Sequence, residues 1–313
     1  DRDRSIADFV PVAYWAIDVQ LSHEGTAFIA QWRADPDACD DQERCLNQAL
    51  AREAAQAMGN AATARTLKVR TERLREAAPL PFDLGTLQEV CSKKLGLGAQ
   101  ETLDIAQSLY ETYKLITYPR SDCGFLPLSQ HSEAPAILAA LAQADPSLAA
   151  LREHLQPQRK SRAWNDAKVS AHHGIIPTAA AKNLDKLAGK QRAVYTLIRA
   201  RYLAQFLPNH EYDRTQADFD CAGQALRAVG KQIVEPGWKR ALPEALAPAR
   251  GREAPAPQTL PALAEGRDCA VDEVKPKDLW TQPPKPFTEG DLIKAMKNVA
   301  KLVEDPLLKQ KLK

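Results

Sequence analysis

Between positions 8 and 32 apolar and polar residues alternate, from Phe9-Val10-Pro11-Val12 to Leu21 and again from Thr26 to Trp32, with His23-Glu24-Gly25 between the two runs. A period of two broken by a glycine turn predicts a β-hairpin. Trp15 and Trp32 offer flat faces for stacking bases, but tryptophans at strand spacing are expected in the core. The rhythm then lengthens. Residues 43–58, rich in alanine with Leu46, Ala49, Leu50 and Ala54, predict a helix that stops near Gly59-Asn60. A second alternating run, Ala64–Arg75, sets Leu67, Val69 and Thr71 among Arg65, Lys68, Arg70, Arg73 and Arg75. It predicts a strand with one cationic face, or simply a solvated one.

Pro79-Leu80-Pro81 marks a boundary, and the style of sequence changes after it. Asp83-x-x-Thr86 reads as a capped start for a helix over 84–95, Gly96-Leu97-Gly98 as a break, and Thr102, Ala106, Leu109, Tyr110 and Tyr113 as the apolar stripe of a helix over 100–115. Ser129–Ala150 predicts one or two helices, Arg159–Asn165 a basic loop, and Asp185–Phe206 a helix ending before Pro208. Alternation returns over 211–240 and 269–274, separated by a proline-rich connection from Pro255 to Pro261, and Thr288 with Asp291 caps a last helix. The expected fold class is α+β, a β-rich domain interrupted by a mostly helical one. The expected limits are 1–81 and 208–280 for the two parts of the β-rich domain, 82–207 for the helical insertion, and 281–313 for the start of a further helical domain.

Composition changes this picture little. Hydrophobic residues make up 44% and charged residues 26% of 313, as expected for a soluble protein. A net charge of +2 does not announce a polyanionic partner, so any nucleic-acid surface must come from local clusters such as Arg159-Lys160-Ser161-Arg162. No apolar run reaches membrane-spanning length and no signal segment is visible, so neither membrane nor secretion is expected. The six cysteines form no Cys-x-x-Cys pair, which argues against a zinc ribbon and a disulfide framework and for a reducing cytoplasm. Cys123 is expected to pack.

Candidate chemistry concentrates at Tyr118-Pro119-Arg120, just past the second helix of the insertion. The residue before a proline is pushed out of the α region, so Tyr118 should lie in an extended segment. A phenol is a weak nucleophile at its free pKa of about 10, whereas an arginine presents forked donors suited to phosphate oxygens. Attacker, rigid spacer and anion clamp together suggest phosphoryl transfer. His172-His173 offers either a backbone contact to nucleic acid or a structural pair. Neighbouring histidines rarely chelate one ion together and no carboxylate stands at ligand spacing, so no metal site is expected here.

The run from Ser108 to Pro127, with Lys114-Leu115-Ile116-Thr117-Tyr118-Pro119-Arg120-Ser121-Asp122 at its centre, resembles the active-site segment of type IA DNA topoisomerases, the topoisomerase III branch in particular. Ala171-His172-His173-Gly174-Ile175-Ile176-Pro177-Thr178 resembles a second motif of that family, with glycine where the family has alanine. Pro283-Pro284-Lys285-Pro286-Phe287-Thr288-Glu289-Gly290-Asp291-Leu292-Ile293 resembles a third. The resemblance implies an arch of β-structure carrying a helical domain. It further implies ATP-independent breakage and rejoining of single-stranded or negatively supercoiled DNA through a 5′-phosphotyrosine, with Tyr118 as nucleophile and Arg120 as phosphate clamp. Lys114, Ser121, Arg162, His172 and His173 would contact DNA.

The family also carries a Toprim domain with a catalytic glutamate and an Asp-x-Asp motif that binds magnesium. Asp1-Arg2-Asp3 has that spacing but no preceding apolar strand. The chain is therefore expected to be a central fragment whose Mg2+ ligands lie elsewhere in a parent protein, inactive alone, monomeric, and working in the cytoplasm on the nucleoid. A non-catalytic single-stranded-DNA-binding module of the same fold is the alternative. Tyrosine recombinases are disfavoured, because their basic residues precede the tyrosine.

Overall fold

The computed structural model describes residues 2–187, 189–242 and 258–297. The chain forms two compact units. One comprises Asp1–Arg75, Glu211–Val234 and Arg250–Pro286, the other Glu76–His210, Glu235–Ala249 and Phe287–Lys313.

The first unit is a closed barrel. After a short helix α1 (Arg2–Ala7) come β1 (Ala13–His23) and β2 (Thr26–Trp32), joined by a two-residue turn in which Glu24 (φ 48°) and Gly25 (φ 79°) are both left-handed. Such a turn matches the twist of the flanking strands, and it confirms the expected hairpin. Helix α2 (Gln48–Gly59) precedes β3 (Thr63–Glu76), and β4 (His210–Cys221), β5 (Gln224–Glu235) and β6 (Asp268–Trp280) complete the sheet in the order β1-β2-β5-β4-β3-β6. Ile17, Val19 and Leu21 point inward from β1, Phe28, Ala30 and Trp32 from β2, and Ala217 and Phe219 from β4; Met58 of α2 joins them. Trp32 is 8% exposed and its indole N–H donates to Gln224 Oε1 (2.9 Å), so it is a core residue and not a stacking platform.

Three expectations for this unit are corrected. Helix α2 starts at Gln48, capped by the Asn47 side chain, which accepts from Leu50 N–H (3.1 Å). Residues 36–46 instead close on themselves, with the Asp40 carboxylate accepting from the N–H groups of Gln42 and Arg44, and this leaves Leu46 exposed. In β3 the inward positions are Ala64 and Thr66, and Leu67 is 55% exposed. Small residues are needed there because Cys269 sits opposite Ala64 and its sulfur lies 3.8 Å from Thr66 Oγ1. Nor is there a single cationic face. Arg73 and Arg75 meet Asp213 and Glu211 of β4, while Lys68 and Arg70 occupy positions of the other parity.

The second unit is mostly helical: α3 (Leu84–Leu95), α4 (Ala99–Glu111), α5 (Ala134–Ala144), α6 (Ala149–Arg152), α7 (Gly189–Leu203) and α8 (Glu289–Lys297). Asp83 caps α3 by accepting from Thr86 N–H (2.9 Å), and Gly96 ends it at φ 65°. Helix α4 stops at Glu111, four residues before the expected end. Lys114 turns left-handed (φ 57°) and Leu115 N–H reaches back to Leu109 O (2.9 Å). A non-glycine residue pays on the order of 1 kcal/mol for that conformation. The expected helix over 185–206 is shorter and divided, with 3-10 turns at Ala181–Lys186 and Ala204–Phe206 flanking α7.

Leu109, Leu115, Ile116, Ile175, Tyr195, Ile198, Tyr202 and Phe206 form the centre of this core. Helix α8 packs on α3, with Thr288 and Asp291 exchanging the expected capping bonds. Residues 298–313, and residues 255–257 of the proline-rich connection, lie outside the described residues. Among the described residues no single helix is long and apolar enough to cross a membrane. One pair, Leu128–Ala144 with Pro146–Arg152, passes by length and composition but is bent by 116°, and its Ile137, Leu138 and Leu141 are buried in this core.

Candidate active site

The tyrosine loop is fixed by a short ladder between two segments far apart in sequence. Thr117 N–H donates to Ile176 O (2.9 Å), Ile176 N–H to Thr117 Oγ1 (3.0 Å), Thr117 Oγ1–H to Gly174 O (3.2 Å) and Thr178 N–H to Leu115 O (3.0 Å). Ile116 and Ile175, 1% and 0% exposed, anchor the two sides in the core. The layer below is stitched in the same way, Ile175 N–H to Phe82 O (2.7 Å) and Gly174 N–H to Phe125 O (2.8 Å). Gly174 is required by this packing: a Cβ there would lie 2.9 Å from Pro81 Cβ and 3.3 Å from the Gly124 carbonyl. Beneath, the Arg201 guanidinium lies 4.3 Å from the Phe82 ring centre and donates to Leu80 O (3.2 Å); burial pulls its pKa down to about 10, against the pull of Asp83 and Glu89.

Tyr118 follows this ladder at the surface, 38% exposed. Its ring is held from two sides, edge-on by Tyr110 of α4 (5.9 Å between centroids) and tilted by His172 (4.5 Å). Among the described residues its hydroxyl makes no hydrogen bond, so the oxygen is available to a substrate. Arg120 is exposed, and its Nη2 donates to Gln107 Oε1 (2.9 Å), while Gln107 Nε2 donates to Glu111 Oε1 (2.9 Å). The guanidinium is thus steered by one edge and keeps its other donors. The Lys114 ammonium sits 5.7 Å from the Tyr110 ring centre, so Lys114, Tyr110, Tyr118 and His172 form one continuous cluster with a cationic end.

The two histidines part company. His173 Nδ1 is 2.9 Å from Gly174 O, which can only accept, so Nδ1 carries hydrogen; Nε2 then accepts from the Gln130 amide at 2.9 Å. His173 is a structural residue locked between two partners, and His172 is the one beside the tyrosine. Ser121, expected to touch DNA, is fully buried and bonds the backbone of Cys123 through its hydroxyl (3.1 and 3.3 Å). Arg162 reaches toward Ala78 O (3.4 Å) and shares no contact with the tyrosine cluster. Cys123 packs as expected, with its sulfur 3.3 Å from Lys168 O. Gln107 and Tyr110, which steer the arginine and the ring, were missed as site residues; their i, i+3 spacing on one face of α4 is the signal that would have found them.

Among the described residues no three His, Cys, Asp or Glu side chains come together to hold a metal ion. The neighbours of Tyr118, two cations, an imidazole and a second phenol, do not suit magnesium. What the arrangement does offer is an accessible phenol beside an imidazole, with two permanent cations at hand for a polyanion.

The site thus combines a surface tyrosine with an arginine two residues on, carried by a helical unit whose sequence interrupts a β-barrel. The chain belongs to the DNA topoisomerase family, whose model matches residues 1–301. It is 35% identical to DNA topoisomerase 3 of Vibrio cholerae over 319 residues, covering 99% of this chain and 48% of that protein. It is 34% identical to DNA topoisomerase 3 of Bacillus subtilis over 300 residues, covering 95% and 40%. In fold it resembles full-length topoisomerase I from Thermotoga maritima, with a TM-score of 0.70 at 22% identity, covering 100% of this chain and 48% of that one. The chain spans about half the length of the curated relatives it matches.

Proposed function

We propose that the chain is the tyrosine-bearing central part of a type IA DNA topoisomerase of the topoisomerase III kind. Tyr118 Oη attacks a backbone phosphorus of single-stranded or negatively supercoiled DNA. The O–P bond to tyrosine forms, the bond from phosphorus to the 3′ oxygen breaks, the phenol proton is released, and the 3′ oxygen takes up a proton. The phosphodiester energy is kept in the 5′-phosphotyrosine, so rejoining needs no ATP. Arg120 holds the non-bridging oxygens as charge builds in the transition state, a role in which preorganised donors are worth most. His172 lies beside the leaving or attacking oxygen, and Lys114 draws the strand in.

The observation that carries this reading is the exposed Tyr118 ring clasped by Tyr110 and His172, with Arg120 steered by Gln107. Magnesium, held by a Toprim domain elsewhere in the parent protein, would supply charge neutralisation at the phosphate. The parent is proposed to act as a monomer on the nucleoid, with domain limits at 1–81, 82–207, 208–280 and 281–313.

The test restores the upstream domain and mixes the protein with labelled single-stranded DNA and magnesium before quenching with detergent. Label should become covalently attached to wild-type protein and not to Tyr118→Phe. Binding without adduct in either form would mean a non-catalytic DNA-binding module, and an adduct persisting in Tyr118→Phe would remove Tyr118 from the reaction.

A further inference from the structure

The barrel unit carries a second concave surface that the tyrosine chemistry does not use. A cavity of about 460 Å³ opens on the outer face of β2, β5 and β4. It exists because β2 and β5 pair only at Gln31–Arg227 and Trp32–Leu226 and then separate. Gln258 fills the gap in the ladder: its Oε1 accepts from Ile29 N–H (2.8 Å), and its Nε2 donates to Ile29 O (2.8 Å) and Val229 O (3.2 Å). The strap carrying Gln258 lies so close to β5 that a Cβ on Gly230 would meet Leu260 at 2.7 Å. The side-chain amide bridges the two strands, and Ile29 and Val229 form the floor of the cavity.

The wall of this cavity is basic. Arg33, Arg214, Arg227 and Lys231 line it, from three neighbouring strands. Arg227 is held by Asp218 through Nε (2.6 Å) and Nη2 (3.3 Å), and Arg33 is paired with Glu43, each keeping further N–H donors toward the cavity. Arg214 has no carboxylate partner among the described residues, and the Lys231 ammonium rests 3.6 Å from the Tyr212 ring centre. None of the carboxylates paired with these arginines lines the cavity. Gln31 and Gln216 add neutral groups that both donate and accept. Beyond Arg33 and Arg227 the neighbouring hollow turns acidic with Asp35, Asp40 and Asp218, so the positive field ends at a defined edge.

We propose that this cavity is a second nucleic-acid site, which grips the sugar–phosphate backbone of DNA through residues of the barrel unit alone. Arginines in a fork geometry match phosphate oxygens, the glutamines suit sugar and base edges, and the apolar floor takes the face of a sugar or base. The volume falls within the ~300–1,000 Å³ of small-molecule sites, enough for a nucleotide unit. The inference rests on the reading of the chain as a DNA-acting protein.

The test uses the chain as it stands, with a fluorescent 16-nucleotide single strand and a 16-base-pair duplex. Anisotropy titrations at several salt concentrations give the slope of log K against log salt. Each phosphate contact contributes about 0.7 to that slope for a single strand and about 0.9 for a duplex. Arg214→Gln/Lys231→Gln should therefore lower it by about 1.4 or about 1.8, and weaken binding roughly tenfold or more at 0.1 M salt. The charge-matched control Arg52→Gln/Lys275→Gln, on exposed positions outside the cavity, should leave the slope unchanged. Gln216→Glu, which places one carboxylate in the cavity, should weaken binding without any large-to-small change. The oligonucleotide whose slope falls identifies the form of DNA held. Equal slopes for wild type and both cavity variants, with wild type still binding, would overturn this site and leave the tyrosine reading standing. A wild-type chain that binds neither oligonucleotide would overturn both.

Discussion

Thr117→Val tests whether the ladder at the tyrosine loop holds the site together. The substitution keeps the β-branched shape and removes one oxygen, which both donates to Gly174 O (3.2 Å) and accepts from Ile176 N–H (3.0 Å). The two losses are unequal. Gly174 O keeps a donor in His173 Nδ1 (2.9 Å), so its cost is small. Ile176 is 3% exposed, and its N–H is left without a partner where water does not reach. An orphaned buried donor costs about 1–3 kcal/mol and a net hydrogen bond about 1 kcal/mol, so the expected loss is about 2 kcal/mol. For a cooperative unit of this size that lowers the melting temperature by about 4–8 °C.

The assay pairs urea unfolding with hydrogen exchange at the Ile176 amide, which should lose protection even under native conditions. Thr117→Ser, which keeps the oxygen, should recover most of both. A Thr117→Val protein within about 0.5 kcal/mol of wild type, with Ile176 still protected, would refute the argument, because the hydroxyl would then be idle.

Gln107→Leu keeps helix α4 and releases Arg120; adduct formation by the parent protein should slow about tenfold, or 1.4 kcal/mol in barrier, with oligonucleotide affinity unchanged. Equal rates would remove Gln107 from the site. Gly174→Ala should cost about 1–3 kcal/mol in urea unfolding, since the added methyl meets Pro81 and Gly124; an unchanged midpoint would show that those neighbours yield freely.

Asp83 gives a pH dependence. Burial alone would raise its pKa, but bonds from Lys297 and from the hydroxyl and N–H of Thr86 outweigh that and hold it below the ordinary carboxylate value. A carboxyl depressed in the folded state stabilises fully above the unfolded pKa of about 3.9 and loses that contribution as pH falls toward the folded value. The stability advantage of wild type over Asp83→Asn, an equally good cap without charge, should therefore shrink from about pH 5 downward in denaturant titrations. A gap independent of pH would mean the carboxylate charge contributes nothing.

Local signals were legible along the chain. Glu24-Gly25 gave the hairpin, Asp83 the start of α3, Gly96 its end, and Thr288 the cap of α8. What escaped depends on partners distant in sequence. The parity of β3 is decided by Cys269 across the β3–β6 pair, so the small Ala64 and Thr66 go inside and the larger Leu67 goes out. The end of α4 is set by a left-handed lysine, a conformation no composition rule assigns to Lys114, and Thr178 secures it by donating to Lys114 O (2.6 Å). At the site, Tyr118 and Arg120 were readable as a motif. The division of labour between His172 and His173 was not, because it is made by Gln130, 43 residues away. Ser121 lies beside Arg120 in sequence yet points inward, since the turn after Pro119 spends its hydroxyl on Cys123.

The bonds between Thr117 and its partners span 57 and 59 residues of chain. Closing a loop of that length costs roughly 3.5 kcal/mol in chain entropy, by (3/2)RT ln n. Four hydrogen bonds at about 1 kcal/mol each only just offset it. Burial of Ile116 and Ile175 in the core supplies the margin, so the pairing of Tyr118 with His172 depends on that long-range packing. A partly folded chain, with α3 and α4 formed and residues 171–178 still loose, would carry its phenol without the imidazole. The clasp of Tyr118 by His172 therefore exists only in a molecule whose long intervening segment has been wrapped and locked.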